Sequence, residues 1–517
     1  MNTDDIIYVC LLLGTIGFGS IFRKLPSSEV RKWVGSVMGL VMITMVSGIH
    51  VLHPLTLTAI NIGILTYLRK SHIHIVSFIV SFSYLFFYRV VYYLGLPQPP
   101  NHTNAVQMMM TLKLVGLCFE VHDTWRKSGE LKKTSNEEEK KLLELQLEHE
   151  EVNPSAMDVF HYAFCYLGAL TGPYYKYRTY CDLIHVKWMN ANVDCFKAML
   201  NRIRVVPVYV ILFLLTDYFF PLSFAESNDI FRNYSFMYRV WYMTPVFFTF
   251  RMRIYSGFVL SECVCIMAGL GAYPETCEPR PGRGPTKYQA LVDSDDEKFV
   301  QRQQAVEMAF NANNGGDVDT HITASTWFCY YVTARCWIIR IVKRKIPVAF
   351  PLREALTMLT SAYWHGVHSG YYLSMLTVPF ILAVEDFYER KIRRNIGQTG
   401  QYIYDWFAWF LKMQNFAYMG MAFLLLRIDT TIYYWRSIGF IYHGVMLIMY
   451  AMASFINNIL GKAEKKLQKS RETYVVKDTA DFGDVRLRCK YKKEEDANVA
   501  TESSDVQATD IPKSKDD

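Results

Sequence analysis

A side chain that does chemistry inside an apolar stretch stands out by what it costs to put it there. A charge at the centre of a bilayer costs at least about 2.5–3.5 kcal/mol on insertion scales. Three groups in this chain fit that description. The first is His365, in Ser361-Ala362-Tyr363-Trp364-His365-Gly366-Val367-His368-Ser369-Gly370, set between two apolar stretches. A neutral imidazole, titrating near about pH 6.5 when unperturbed, is suited to take the proton from a hydroxyl nucleophile. The competing reading is a packing histidine bonded to a neighbouring carbonyl. The second group is Arg251, Arg253 and Glu262, within the otherwise apolar stretch 238–273. It reads either as a structural ion network or as a cationic wall facing phosphate. The third runs from Thr171 to Tyr180, where a Gly172-Pro173 break is followed by aromatics and by Lys176 and Arg178. Substrate contact and anchoring by an interfacial aromatic belt explain that run equally well.

The elements that must position these groups follow from where the other charges lie. Over 517 residues the chain is 51% hydrophobic and 20% charged, with mean hydropathy +0.08. Of its 103 charged residues, 51 fall in 122–152, 276–303 and 461–517, leaving 52 for the other 401 residues. That remainder cannot coat a fold in water, so lipid is the main solvent. Apolar runs long enough to cross a hydrocarbon core of roughly 30 Å recur from residue 5 to residue 460. Backbone donors in lipid must be satisfied within their own segment, which predicts an all-α, polytopic bundle with 10–12 crossings. The organisation expected is N-terminal transmembrane helices over 1–121, a polar connector helix over 122–152, a core over 153–460 and a disordered tail over 461–517. Thr134-Ser135-Asn136-Glu137-Glu138 marks the start of the connector helix.

Several partners are disfavoured. The net charge of +7 is spread over loops with no basic, aromatic-interleaved stripe, so nucleic acid is not expected. The 11 cysteines show neither redox nor zinc spacing, and no metal is expected. Lys462, Lys465, Lys466, Lys469 and Arg471 follow the last apolar run and predict a cytosolic C-terminus. Lys513 and Lys515, third and fifth from a cytosolic end, fit a dilysine retrieval signal and predict the endoplasmic reticulum membrane. From the residues alone the chain reads as a polytopic protein acting on lipids or transporting a solute.

Those same segments carry a resemblance. Ser361 to Gly366 resembles the histidine motif of the membrane-bound O-acyltransferase superfamily. Further matching stretches are Thr103-Asn104-Ala105-Val106-Gln107 with Thr111-Leu112-Lys113-Leu114-Val115, Thr171 to Tyr180, Pro245 through Arg253 to Pro274, and Trp406 to Met413 with Tyr434-Trp435. The likeness runs from the first helix to about residue 455, apart from the loop near 276–325. It implies helices around an internal substrate tunnel, His365 as catalytic base, and acyl-CoA as co-substrate with no bound cofactor. The further stretches are similar to the branch of the family that acylates lysophosphatidylinositol. They imply transfer of a polyunsaturated, arachidonoyl-type chain to its free sn-2 hydroxyl, in phospholipid remodelling. Tyr363, Trp364 and His368 are expected to shape the tunnel; Arg251, Arg253, Glu262, Lys176 and Arg178 are expected as polar or headgroup contacts. One position departs from the pattern: the family places Asn some 35–40 residues before the histidine, and here Tyr331 stands there. Another lysophospholipid or a protein as acceptor, or a non-catalytic lipid-binding relative, are the alternatives that this departure keeps open.

Overall fold

In the computed structural model of the chain, the residues described are 3–95, 99–170, 172–185, 194–274 and 350–459, with position 97 and a few positions between 277 and 301. Helices dominate them. The N-terminal part comprises α1 (Thr3–Arg23), α2 (Ser28–Ser47), α3 (Leu52–Tyr67), α4 (Ile73–Val90), α5 (Asn101–Leu131) and α6 (Glu137–Glu150). Next come α7 (Ala156–Phe164), α8 (Tyr177–His185), α9 (Cys195–Ile203), α10 (Val206–Phe219), the short α11 (Leu222–Glu226) and α12 (Asn228–Asn233), and the long α13 (Phe236–Ala268). The remaining helices are α14 (Phe350–His365), α15 (Ser369–Lys391), α16 (Gln398–Leu425), α17 (Ile428–Ser437) and α18 (Ile441–Ile459). A two-stranded antiparallel ribbon, Ala272–Pro274 with Phe299–Gln301, is the exception to the all-α expectation among the described residues. Met1–Met446 group as one unit and Leu447–Asp517 as another.

Local chemistry sets the helix ends. Ser27 caps α2 by accepting from the Val30 amide at 3.3 Å, and Ser155 with Asp158 forms a capping box at α7. Asn136 caps α6, which buries no residue, as expected of a surface helix. The connector does not begin at 122, however, because α5 continues to Leu131. α13 closes on Gly269, whose φ of +82° is the left-handed cap that glycine adopts without strain.

Among the described residues, five helical stretches are long and apolar enough to cross a membrane, or six if the bent pair α17 and α18 is one span. The notable departures from the 10–12 runs expected are two. α2 and α3, with a 3-10 turn over Gly48–Val51 between them, make one 40-residue apolar stretch, Ser28–Tyr67, that is long enough for two crossings of about 20 residues each. α13 and α16 have the length, at 33 and 28 residues, but α13 carries Arg239, Arg251, Arg253 and Glu262, and α16 carries Asp405 and Lys412. The expected tail over 461–517, with its terminal lysines, lies outside the described residues.

The largest buried apolar cluster joins α1 to α5, α7, α8 and the second half of α13. A second unites the first half of α13 with α16 and α17. Two smaller ones clasp α14 from opposite sides. Trp364 packs with Phe82 and Leu85 of α4 and with Leu112, Val115 and Phe119 of α5, while Met358 and Ala362 pack with Met375 of α15. The α14–α15 turn is tied to the end of α16, where the Gly370 amide donates to the Leu426 carbonyl at 2.8 Å. A Cβ at Gly370 would overlap the Ala422 carbonyl, so only glycine allows that approach.

Candidate functional site

α14 ends at His365, and the last carbonyls of any helix lack an internal partner. Here a cation supplies one. Arg89, in the last turn of α4, donates to the carbonyls of Tyr363 at 2.6 Å, Trp364, and His365 at 3.1 Å. Its Nε donates to Asn104 Oδ1 on α5 at 3.2 Å. A guanidinium fork suits this task, and positive charge at a helix C-terminus is favoured by the aligned peptide dipoles. The residues just before His365 are fixed as well. Tyr363 donates its hydroxyl to the Phe82 carbonyl at 3.2 Å, with its ring stacked on Phe82 and Phe86. The Trp364 indole donates to the Met108 carbonyl at 3.2 Å. Tyr363 and Trp364, expected to shape a tunnel, thus anchor the helix end with their polar atoms. His368 is exposed, occupies the position just before α15 without a side-chain cap, and meets Tyr371 edge-on at 6.1 Å.

The His365 ring itself is held by aromatic walls: Trp364 at 4.8 Å, Phe423 of α16 at 5.2 Å and Tyr371 of α15 at 6.0 Å between centroids. The residue is only half-buried, yet its Nε2 is shielded and has no hydrogen-bond partner among the described residues. Leaving a buried polar atom unpaired costs about 1–3 kcal/mol. An imidazole fixed in place with a vacant ring nitrogen is the arrangement a proton acceptor needs.

The second group does not assemble. Arg251 and Glu262 are 11 residues apart on one helix, about 16 Å along its axis. Glu262, 1% exposed, instead accepts from Arg202 Nε of α9 at 2.7 Å. Arg251 lies over the rings of Phe247 and Tyr255 and donates to the Tyr255 hydroxyl at 3.1 Å and the Met413 sulfur at 3.3 Å. Arg253 is exposed. The expected network of these three is therefore replaced by an Arg202–Glu262 pair and a separate, aromatic-bound Arg251.

The third group is a helix start. Glu120 of α5 accepts from the backbone amides of Tyr177 at 3.0 Å and Arg178 at 3.3 Å, so a carboxylate from another helix caps α8. Lys176 lies near enough to act on that carboxylate electrostatically. Arg178 pairs with Asp182 at 3.0 Å, and the Tyr273 hydroxyl donates to the same aspartate at 2.8 Å. Beneath it, Lys113 is 1% exposed and donates to the carbonyls of Leu167 at 3.0 Å and Tyr162 at 3.5 Å and to the Tyr175 hydroxyl at 3.3 Å. Sequence reasoning missed Arg89, Lys113 and Glu120 as positioning residues. The signal was available, since each is a charge inside an apolar run, but its partners lie on other elements. Tyr331, like all of 302–349, lies outside the described residues.

The family model for MBOAT, the membrane-bound O-acyltransferase family, matches residues 101–428, from the start of α5 to the start of α17. The chain is 36% identical over 492 residues to the membrane-bound acylglycerophosphatidylinositol O-acyltransferase mboat7 of Danio rerio, covering 93% of this chain and 100% of that protein. It is 37% identical over 457 residues to the protein of the same description, MBOAT7, of Homo sapiens, covering 86% and 93%. With mboa-7 of Caenorhabditis elegans the identity is 27% over 490 residues, covering 91% and 98%. The chain belongs to the membrane-bound O-acyltransferase family, multi-pass helical membrane enzymes that transfer acyl groups.

Proposed function

We infer that this acyltransferase moves an acyl chain from acyl-CoA to the free sn-2 hydroxyl of lysophosphatidylinositol, remodelling phospholipids in the endoplasmic reticulum membrane. The acceptor follows from relatives described as acylglycerophosphatidylinositol O-acyltransferases, which align over most of this chain. The single observation that carries the chemistry is the shielded, unpartnered Nε2 of His365.

In this reading Nε2 takes the proton of the acceptor hydroxyl as its oxygen forms a bond to the thioester carbonyl carbon. The tetrahedral intermediate then collapses, the carbon–sulfur bond breaks, and the imidazolium returns the proton to the sulfur, releasing the free thiol of CoA. A positioned base contributes typically about 10²–10⁴-fold, and holding two amphiphiles together adds to this through proximity. A thioester is already an activated acyl donor, so the reaction asks for no bound cofactor. The polyunsaturated, arachidonoyl-type donor is part of the same proposal, as are the cytosolic C-terminus behind Lys462 to Arg471 and the retrieval signal at Lys513 and Lys515.

The test is acyl transfer by the purified full-length chain in detergent, with arachidonoyl-CoA and lysolipids differing only in headgroup. Preference for lysophosphatidylinositol is expected, and a preference for another headgroup overturns the acceptor. A chain that binds these lipids yet transfers nothing to any of them, including protein acceptors, is a non-catalytic lipid binder.

A further inference from the structure

The chain contains two Asn-X-Ser/Thr triplets in which X is not proline, Asn101-His102-Thr103 and Asn233-Tyr234-Ser235. Such a triplet accepts an N-linked oligosaccharide where it faces the lumen of the secretory pathway and the fold leaves room for a bulky sugar. Membrane side and local packing therefore decide each one.

The two ends of the bundle differ in charge. α13 and α16 run antiparallel: a Cβ at Gly420 would meet the Phe247 ring, and one turn further along α13 Arg251 reaches Met413 at 3.3 Å. α13 therefore begins where α16 ends, and Asn233 lies three residues before it. Phe231 meets Tyr433 of α17 there at 4.5 Å, and the Tyr434 hydroxyl donates to the Arg239 carbonyl at 2.7 Å. Between α10 and α13 the one cation in the sequence is Arg232, beside Glu226 and Asp229. Arg427 and Arg436 flank α17, and Arg427 pairs with Asp429 at 3.0 Å.

The opposite end is cationic. α13 is 33 residues long, about 50 Å, and its far end packs on Gly19 of α1, one turn before Arg23 and Lys24. The Arg202–Glu262 pair holds α9 there, with Lys197 and Arg204. α15 leaves the α16 end, where Gly370 bonds to Leu426, and runs 23 residues away from it, with Arg393 and Arg394 just beyond. An excess of Lys and Arg marks the cytosolic ends of membrane helices.

Packing separates the two triplets. Asn233, Tyr234 and Ser235 are all exposed, and Tyr234 and Ser235, with ψ of 147° and 162°, form an extended break between α12 and α13. The Asn101 triplet belongs to the same end of the bundle, since Arg89 ties Asn104 to the end of α14. It lies in the first turn of α5, however, where Thr103 is completely buried and His102 stacks on Tyr8 at 4.8 Å. A sugar there would have to displace packed side chains.

We propose that Asn233 is a luminal N-glycosylation site of this chain and that Asn101 stays unmodified. The proposal rests on the endoplasmic reticulum placement inferred above. In the modification, the Asn233 side-chain nitrogen bonds to the anomeric carbon of an oligosaccharide carried on a polyprenyl diphosphate. The bond from that carbon to the diphosphate oxygen breaks, the lipid diphosphate leaves, and the nitrogen gives up one of its two protons.

The experiment expresses the full-length chain in eukaryotic cells, isolates endoplasmic reticulum membranes and compares gel mobility before and after digestion with a peptide N-glycosidase. Digestion is expected to increase mobility by a single step. Asn233→Gln and Ser235→Ala abolish the step, and Asn101→Gln leaves it. Ser235→Thr keeps it, because threonine supplies both the hydroxyl of the triplet and the cap that Ser235 gives to the Tyr238 amide. That variant separates loss of the sugar from loss of the fold. A chain recovered in these membranes with no step overturns the site. So does a step that survives Asn233→Gln or disappears in a folded Asn101→Gln. A chain absent from these membranes overturns the placement and the site together, and fractionation shows that result before any digestion.

Discussion

Lys113 and His365 are both nitrogen side chains held inside a largely apolar bundle, and the structure treats them in opposite ways. Lys113 is saturated: two carbonyls and a hydroxyl surround its ammonium, and the rings of Tyr162 and Tyr175 lie 5.5 and 5.1 Å from it. His365 has its backbone carbonyl held by Arg89 and its ring walled by aromatics, while Nε2 has no partner among the described residues. A buried polar group with every valence satisfied rigidifies its surroundings. One kept rigid but unsatisfied is available to a ligand. Beyond burial and residue type, the two differ in how far their partners are saturated.

The strongest way to break this contrast is to remove each nitrogen in turn. His365→Ala is expected to reduce acyl transfer by about 10²–10⁴-fold while the melting temperature stays close to wild type. A folded variant that retains turnover removes His365 from the mechanism. Lys113→Met should do the reverse. It leaves the Leu167 and Tyr162 carbonyls without their donor, costs about 2–4 kcal/mol of stability, and shows as a lower melting temperature. The surviving folded fraction keeps its KM for both substrates. If Lys113→Met instead loses turnover at full stability, the division between saturated and vacant nitrogens fails.

Arg89 sharpens the comparison because it touches only the backbone of the histidine segment. Arg89→Gln is expected to lower kcat by about 10–100-fold through misplacement of the imidazole, with the KM for acyl-CoA unchanged. Arg89→Lys restores part of the loss, because a point charge still meets the helix end but without the planar fork. A smaller effect is expected at Arg251, whose Nε and one terminal nitrogen already donate to Tyr255 and Met413. Arg251→Gln should lower the melting temperature slightly and change the apparent KM for lysolipid and acyl-CoA by similar, few-fold factors. A rise confined to the lysolipid KM would make Arg251 a headgroup contact.

What could be read from the chain divides along a physical line. The charge-poor stretches, the surface helix near Glu137–Glu150 and the placement of His365 at a helix end beside glycines all follow from composition and local pattern. Local pairs such as Arg178 with Asp182, four residues apart on α8, follow from helical spacing. Glu262 shows the opposite case. Its nearest arginines in sequence share its helix but lie turns away, while its true partner Arg202 comes from α9, 60 residues earlier.

The sequence by itself determined that this protein is a helical membrane bundle and that an imidazole, His365, lies between two apolar stretches, because solvent preference and helix periodicity are properties of short segments. Only the tertiary structure decided which polar groups are satisfied. Arg89 reaches the His365 carbonyl across 276 positions, and Lys113 reaches Leu167 across 54. Hydrogen-bond saturation is a property of packed neighbours, and the vacancy at Nε2 exists only once Trp364, Tyr371 and Phe423 from three helices have closed around it.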